Sequence, residues 1–467
     1  MVGARRWLMV AATSLVAAIG VLVLAEVLVR VMGIEPPELP NPDGSNAVNL
    51  FKTDAVLGPL PRPGWRGAMP GGFTVETDAK GFRSSGLPAP DAPRARVAFL
   101  GDSCTFGWGL DTSETFIAQL DARMRADGEP PIELINAAIP GHSAVLGEQI
   151  LLERVLPLQP DIVVLGFSAN NAFRFSVLPD ADRLHHVEAR RLLLRSRLFS
   201  VIAGRMAQRQ ADDDRNPRDW ALVSQVPIED LRRVAAGNEF TAAERAAVIA
   251  ARNAGAAVMF VIFPRASEVS PAYPGEDAGR QARIAATDDS LTRGLLEVSC
   301  LDPGSPDVLT QVRERAAEWQ PVYPDDAQLR AALAQGSRAY VSDDFAAALD
   351  TFRAAVSAWP DSPLAHYDLA ASAFMSGDAA LGHEHLDAAE RLSCSVFLRY
   401  QAILWRLADE LHVPVVDLTL PLQAYTDASL FLDQAHPNAA AAQIIAGVLA
   451  APIARQLGPV LARNGGN

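Results

Sequence analysis

Cysteine is scarce. Three in 467 residues cannot make the disulfide framework of a small secreted scaffold. Excess positive charge is missing too. Forty-one basic against 55 acidic residues leave a formal net charge of −14, which excludes the basic face that a nucleic-acid partner needs. Nearly all the basic residues are Arg rather than Lys. With its abundant Ala, the chain fits a bacterial source with a GC-rich genome. There is no Gly-rich phosphate loop and no His, Cys or acid spacing suited to a metal. Neither a metal nor another cofactor is therefore expected. His185 and His186 read as part of a solvated helix rather than as ligands. Cys104 reads as a small apolar filler beneath a turn. Cys300 and Cys394 flank one inserted segment, and their pairing in an oxidising compartment stays open.

What is present begins at the N-terminus. Arg5 and Arg6 precede an uncharged run from Trp7 to Ala25, long enough to span a bilayer core. The basic pair predicts a cytoplasmic N-terminus, with the rest of the chain outside. The apolar pattern continues through Val27, Leu28, Val29 and Val31, so an uncleaved anchor over 1–32 is expected. The alternative is a signal peptide cut after Val23-Leu24-Ala25 and a secreted product. No Cys lies near the run, which excludes a lipoprotein anchor.

Residues 33–90 read as a linker rich in proline, then an irregular extension with a β-like piece at Phe73–Thr77 and Gly81-Phe82-Arg83 packed on the next domain. An alternation of strands and helices follows. The strands are Val97–Leu100, Glu133–Asn136, Asp161–Leu165, Ala257–Phe263 and Val413–Leu418. The helices are Thr115–Arg125, Ala144–Val155, Ala242–Asn253, Val396–Leu411 and Ala439–Ala450. Short apolar strands alternating with helices predict an α/β fold, a parallel sheet covered on both faces. The catalytic domain is thus expected in two parts, 91–264 and 396–460. Its first part is interrupted by an Arg- and Asp-rich insertion at 173–239. A second insertion, 265–395, carries a repeat. Asp344, Phe352, Ala354 and Ala355 recur 34 residues later as Asp378, Leu386, Ala388 and Ala389. The repeat resembles tetratricopeptide (TPR) units over about 328–392. Two units need support from neighbours, for which Pro306–Trp319 is a candidate. The insertion either braces the domain or docks a protein or polymer partner.

Two scraps carry the chemistry. Gly101-Asp102-Ser103 closes the first strand, and Asp433-x-x-His436-Pro437 lies some 330 residues later. Serine needs an adjacent base to become a nucleophile. A strand-to-helix turn exposes its oxygen and sets its backbone N–H at a helix N-terminus. Asp102 reads as a turn former. His436 would take the Ser103 proton, and Asp433 would orient and stabilise the imidazole. An oxyanion hole needs converging donors. The Ser103 N–H, the Gly141 N–H and the Asn170 amide all follow the carboxyl ends of strands, where function sits in such sheets.

These residues resemble the SGNH hydrolases, the GDSL esterase/lipase superfamily, named for a Ser, a Gly, an Asn and a His in four ordered blocks. Phe99-Leu100-Gly101-Asp102-Ser103, followed by Thr105-Phe106-Gly107, is similar to the first block. Gly141 corresponds to the second, Asn170 to the third, and Asp433-Gln434-Ala435-His436-Pro437 to the fourth. The third block usually reads Gly-x-Asn-Asp. Here it is Ser168-Ala169-Asn170-Asn171, which alters the turn aiming Asn170. The resemblance implies a three-layer α/β/α sandwich of flavodoxin type and hydrolysis of carboxylic esters, including O-acetyl groups on carbohydrate. Anchored at the inner membrane and facing the periplasm or exterior, such an enzyme would modify envelope or exported polysaccharide. Two alternatives are acyl transfer to a sugar hydroxyl with the same residues, and a non-catalytic assembly protein acting through the repeats.

Overall fold

The computed structural model describes residues 2–35, 50–54, 57–69, 71–128, 130–167, 170, 192–193, 195–213, 237–269, 326–393, 396–425, 430–433 and 435–464. The chain divides into two compact units, residues 1–60 with 181–219, and residues 61–180 with 220–467. His185, His186, Cys300, Cys394, Ser168, Asn171 and the segment Pro306–Trp319 lie outside the described residues.

In the first unit, helix Val2–Val31 packs on helix Arg197–Asp213. Strand β1 (Phe51–Asp54) pairs with β2 (Gly58–Pro61). Glu26 interrupts the apolar run for a visible reason. Its carboxylate accepts from the Arg197 and Leu198 backbone N–H groups at 2.9 and 2.8 Å and from Ser196 Oγ at 2.8 Å. It thereby caps the start of the second helix. Arg30, one turn on, donates to Glu26 at 2.6 Å.

In the second unit a hairpin of β3 (Arg66–Ala68) and β4 (Thr74–Glu76) precedes the sheet. The sheet contains β5 (Ala95–Gly101), β6 (Ile132–Asn136), β7 (Ile162–Gly166), β8 (Ala257–Ile262) and β9 (Val415–Asp417). Their order is β6-β5-β7-β8-β9, and every pair is parallel. In chain order this is 2-1-3-4-5, the flavodoxin-like arrangement, with the topological switch between β5 and β7.

Side chains alternate across each strand. Val97, Phe99, Ile162, Val164, Met259 and Val261 join one core with helices Phe116–Ala126 and Ala439–Asn464. Their alternates Ala98, Leu100, Val163, Leu165 and Phe260 are also buried. Helices Ala144–Ile150, Asn238–Asn253 and Val396–Leu411 cover that second face. Burial on both faces explains why these strands are uninterrupted apolar runs.

Among the described residues, four successive helices precede Val396–Leu411 in the connection from β8 to β9: Ala327–Val341, Phe345–Ala358, Pro363–Met375 and Ala379–Ser393. Each packs on the next. Asp326, Asp344, Ser362 and Asp378 each accept a backbone N–H two or three residues on, the hydrogen bond of a helix N-cap. The repeated Asp344 and Asp378 are such caps.

Three expected boundaries need correction. The helix predicted to end at Ala450 runs to Asn464 through Pro452 and Pro459. Buried Ile453, Leu457 and Val460 hold it on the core past the missing N–H groups. The helix expected over Ala144–Val155 changes winding at Leu151, then ends as a tighter turn at Leu158. The last strand is only Val415–Asp417, because the Val413 N–H closes the preceding helix onto Ala408. The described stretch Ala439–Ala462 has the length and hydropathy to cross a membrane. Here it is an outer layer of the sandwich.

Candidate active site

β5 ends at Gly101, where the chain turns directly into the short helix Ser103–Phe106. Only glycine fits there. A Cβ on Gly101 would lie 2.1 Å from Thr105 Oγ1 and 2.5 Å from the Gly166 carbonyl. Thr105 Oγ1 donates to that carbonyl at 2.8 Å, so the turn is tied to the end of β7. Asp102 is buried and caps the helix, accepting from the Cys104 N–H at 2.9 Å. Cys104 sits beneath the turn, and its thiol donates to the Ala435 carbonyl at 3.4 Å.

Arg83 holds the far end of this helix. Its guanidinium donates to the carbonyls of Phe106, Gly107 and Leu110 at 3.1, 2.7 and 2.6 Å and lies 4.6 Å from the Phe106 ring centroid. Burial lowers its pKa to about 9, opposed by the charge of Asp111, so it stays cationic at neutral pH. A cation at a helix C-terminus satisfies its outward carbonyls. This role was hidden in an irregular stretch of sequence, where an arginine gives no periodic signal.

The loop after β9 brings the opposite partner. Phe431 bridges to Pro437, the Leu432 N–H donates to the His436 carbonyl at 2.8 Å, and Asn438 caps the last helix through the Ala441 N–H at 3.0 Å. His436 Nδ1 lies 2.6 Å from Asp433 Oδ2, and Nε2 lies 2.8 Å from Ser103 Oγ. The other Asp433 oxygen accepts from the Ala435 and His436 N–H groups, both at 2.9 Å. Burial pushes the imidazole pKa down. The bond and charge of Asp433, with help from Asp102, outweigh it and leave His436 raised. Burial likewise pushes Asp433 up, but His436 and the two backbone donors bring it to about 2. At neutral pH Asp433 is therefore an anion, matched to a strengthened base.

The third part of the site follows β6 and β7. The Ile139 N–H donates to the Gly101 carbonyl at 3.1 Å, drawing the Gly141 loop toward the serine turn. Gly141 has φ of 80°, where a side chain would be strained. Asn170 Nδ2 donates to the His142 carbonyl at 3.2 Å. That bond uses one amide hydrogen, fixes the amide's direction and leaves the second hydrogen to another acceptor. Of the residues expected from sequence, Ser103, His436 and Asp433 form one connected run. Asn170 meets the loop of Gly141.

Residues 99–329 match the model of the GDSL-like lipase/acylhydrolase family. Over that stretch the chain is similar to GDSL-like acylhydrolases. It is an ester-hydrolysing enzyme. The family match starts inside β5 and ends in the first of the four inserted helices, well before the Asp433–His436 loop. Solved structures similar to this acylhydrolase include an acetyl xylan esterase at 12% identity, covering 77% of this chain and 99% of that one, with a TM-score of 0.34. A lipase/acylhydrolase from Enterococcus faecalis has 12% identity, coverage of 77% and 95%, and a TM-score of 0.32. An acetylxylan esterase from Geobacillus stearothermophilus has 12% identity, coverage of 79% and 95%, and a TM-score of 0.33. A comparison of the acylhydrolase with curated proteins gives no match.

Proposed function

We propose that Ser103, His436 and Asp433 are the catalytic triad of a membrane-anchored serine esterase acting on O-acyl carbohydrate. Ser103 Oγ attacks the ester carbonyl as His436 Nε2 takes its proton. The Ser103 and Gly141 N–H groups and the Asn170 amide receive the oxyanion. Collapse of the tetrahedral intermediate breaks the ester bond, and His436 returns the proton to the leaving sugar hydroxyl. Water, deprotonated in turn by His436, then releases the acyl group and restores Ser103. The unbroken run from Asp433 through His436 to Ser103, at 2.6 and 2.8 Å, supports this reading most directly.

Turnover of a chromogenic acetyl ester by the full chain, against Ser103→Ala, tests the triad. Loss of about 10⁴-fold or more is expected. Equal rates would end the proposal.

Helix Val2–Val31 anchors the chain in the inner membrane, with the catalytic domain on the periplasmic or outer side. The flanking Arg5 and Arg6 and the exposed Val16, Leu22 and Val23 favour this. Alkaline washing of membranes should leave the full chain in the pellet and release a chain lacking residues 1–35. Release of both would discard the anchor. The TPR-like helices serve as a docking surface for a polymer or protein partner.

A further inference from the structure

Trp108 belongs to the serine turn but has no part in the triad. Its backbone N–H donates to the Ser103 carbonyl at 3.0 Å. The next residue, Gly109, has φ of 87°, and a Cβ there would lie 2.4 Å from Leu432 Cδ1. Leu432 immediately precedes Asp433. The Trp108 loop therefore runs between the nucleophile turn and the loop carrying the acid and base.

The neighbouring Phe106 is fully buried, whereas Trp108 is half-buried. Its ring meets Phe73 edge-on, with centroids 5.4 Å apart and planes at 72°. It also meets Phe106 at 6.4 Å and 42°. Phe73 is itself held. Asp111, on the same loop as Trp108, accepts from the Thr74 N–H and Oγ1 at 2.6 and 2.7 Å. Among the described residues none accepts from the Trp108 indole N–H, and that atom is not sealed from solvent. A half-buried aromatic ring held by its neighbours, with an unused donor, loses little conformational freedom on binding.

We propose that Trp108 is the stacking platform of a carbohydrate subsite next to Ser103. The apolar C–H face of a pyranose lies on the indole, and a sugar hydroxyl accepts from its N–H. Rings with equatorial substituents present the flattest such face, so β-linked sugars suit it best. This subsite rests on the carbohydrate-ester reading above and says where the alcohol part of the ester is gripped.

The test uses the full chain with two substrates, an aryl acetate and acetylated cellotetraose, and reads the ratio of their kcat/KM values. Trp108→Ala should lower the oligosaccharide-to-aryl ratio about 10–100-fold, the scale of one lost stacking contact, chiefly through KM. Trp108→Phe keeps a ring and lowers the ratio less. An unchanged ratio in both variants overturns the subsite. A wild type that cleaves aryl acetate but leaves acetylated cellotetraose intact overturns the carbohydrate reading and the subsite with it. Calorimetry of unacetylated cellotetraose on Ser103→Ala, with and without Trp108→Phe, separates binding from chemistry. Weaker binding in the double variant supports the platform, and equal or absent binding in both overturns it, whatever the turnover assays give.

Discussion

Two sets of carboxylates follow the carboxyl ends of the same sheet, and their pKa values are shifted in opposite directions. Asp433 is held at about 2 by His436 and two backbone N–H groups, against the effect of burial. Asp417, the last residue of β9, also has three donors. They are Tyr367 Oη at 2.6 Å, Trp405 Nε1 at 3.0 Å and the Thr419 N–H at 2.8 Å. Burial nevertheless wins, and Asp417 is raised. Glu268 and Asp368 are raised beside it, first by burial and then by the charge of Asp417. Donor number is the same for Asp433 and Asp417. The difference is a cationic partner: neutral donors alone do not offset full desolvation, whereas an imidazolium does. One set is tuned for proton transfer. The other joins the inserted helices to the sheet, since Gln423 after β9 donates to the Glu268 carbonyl at 2.9 Å and accepts from Ser337 at 2.9 Å.

The comparison breaks most sharply at Asp433. Asp433→Asn removes the charge but keeps the shape, and kcat should fall about 10⁴-fold while the protein stays folded. A loss under tenfold would mean that Asp433 only shapes the loop. Tyr367→Phe cuts the other set. Removing one donor from a buried carboxyl should cost about 1.5–3 kcal/mol of stability, measured by urea unfolding. The cost should be larger at pH 8 than at pH 5, because the lost bond matters most to the anion. An equal cost at both pH values would mean that Asp417 does not titrate in that range.

The smallest effect is on pH dependence. Catalysis needs neutral His436, so kcat/KM should rise with pH through a pKa above the ordinary 6.5. The residual activity of Asp433→Asn should show that limb at lower pH, because the raising influence is gone. An unmoved limb would assign it to another group. Stability has the converse signs. The contribution of Asp433 is full above 3.8 and is lost as pH falls toward 2. The raised acids stabilise the fold most below their ordinary values of 3.8 and 4.5, and that contribution is lost as pH rises through their folded values.

The sheet was legible because strands buried on both faces leave unbroken apolar runs such as Val97–Leu100 and Ile162–Leu165. The hydrogen-bonded run from Asp433 through His436 to Ser103 was legible because its three side chains come in two tight clusters of sequence. Less could be read where a residue acts at a distance. Arg83 and Tyr367 show neither period nor motif, since their partners lie 23 to 50 residues away. Prolines misled at the last helix, where packing of Ile453 and Leu457 overrides the local penalty that usually ends a helix.

The His436–Ser103 contact joins residues 333 positions apart. A ribosome adding roughly 5–20 residues each second needs on the order of 15–70 s to make that stretch. Throughout that interval the nascent polypeptide has its serine but no imidazole to activate it. On the proposed mechanism, esterase capability thus appears only after His436 has been translated, so a product truncated before that residue stays inert toward esters.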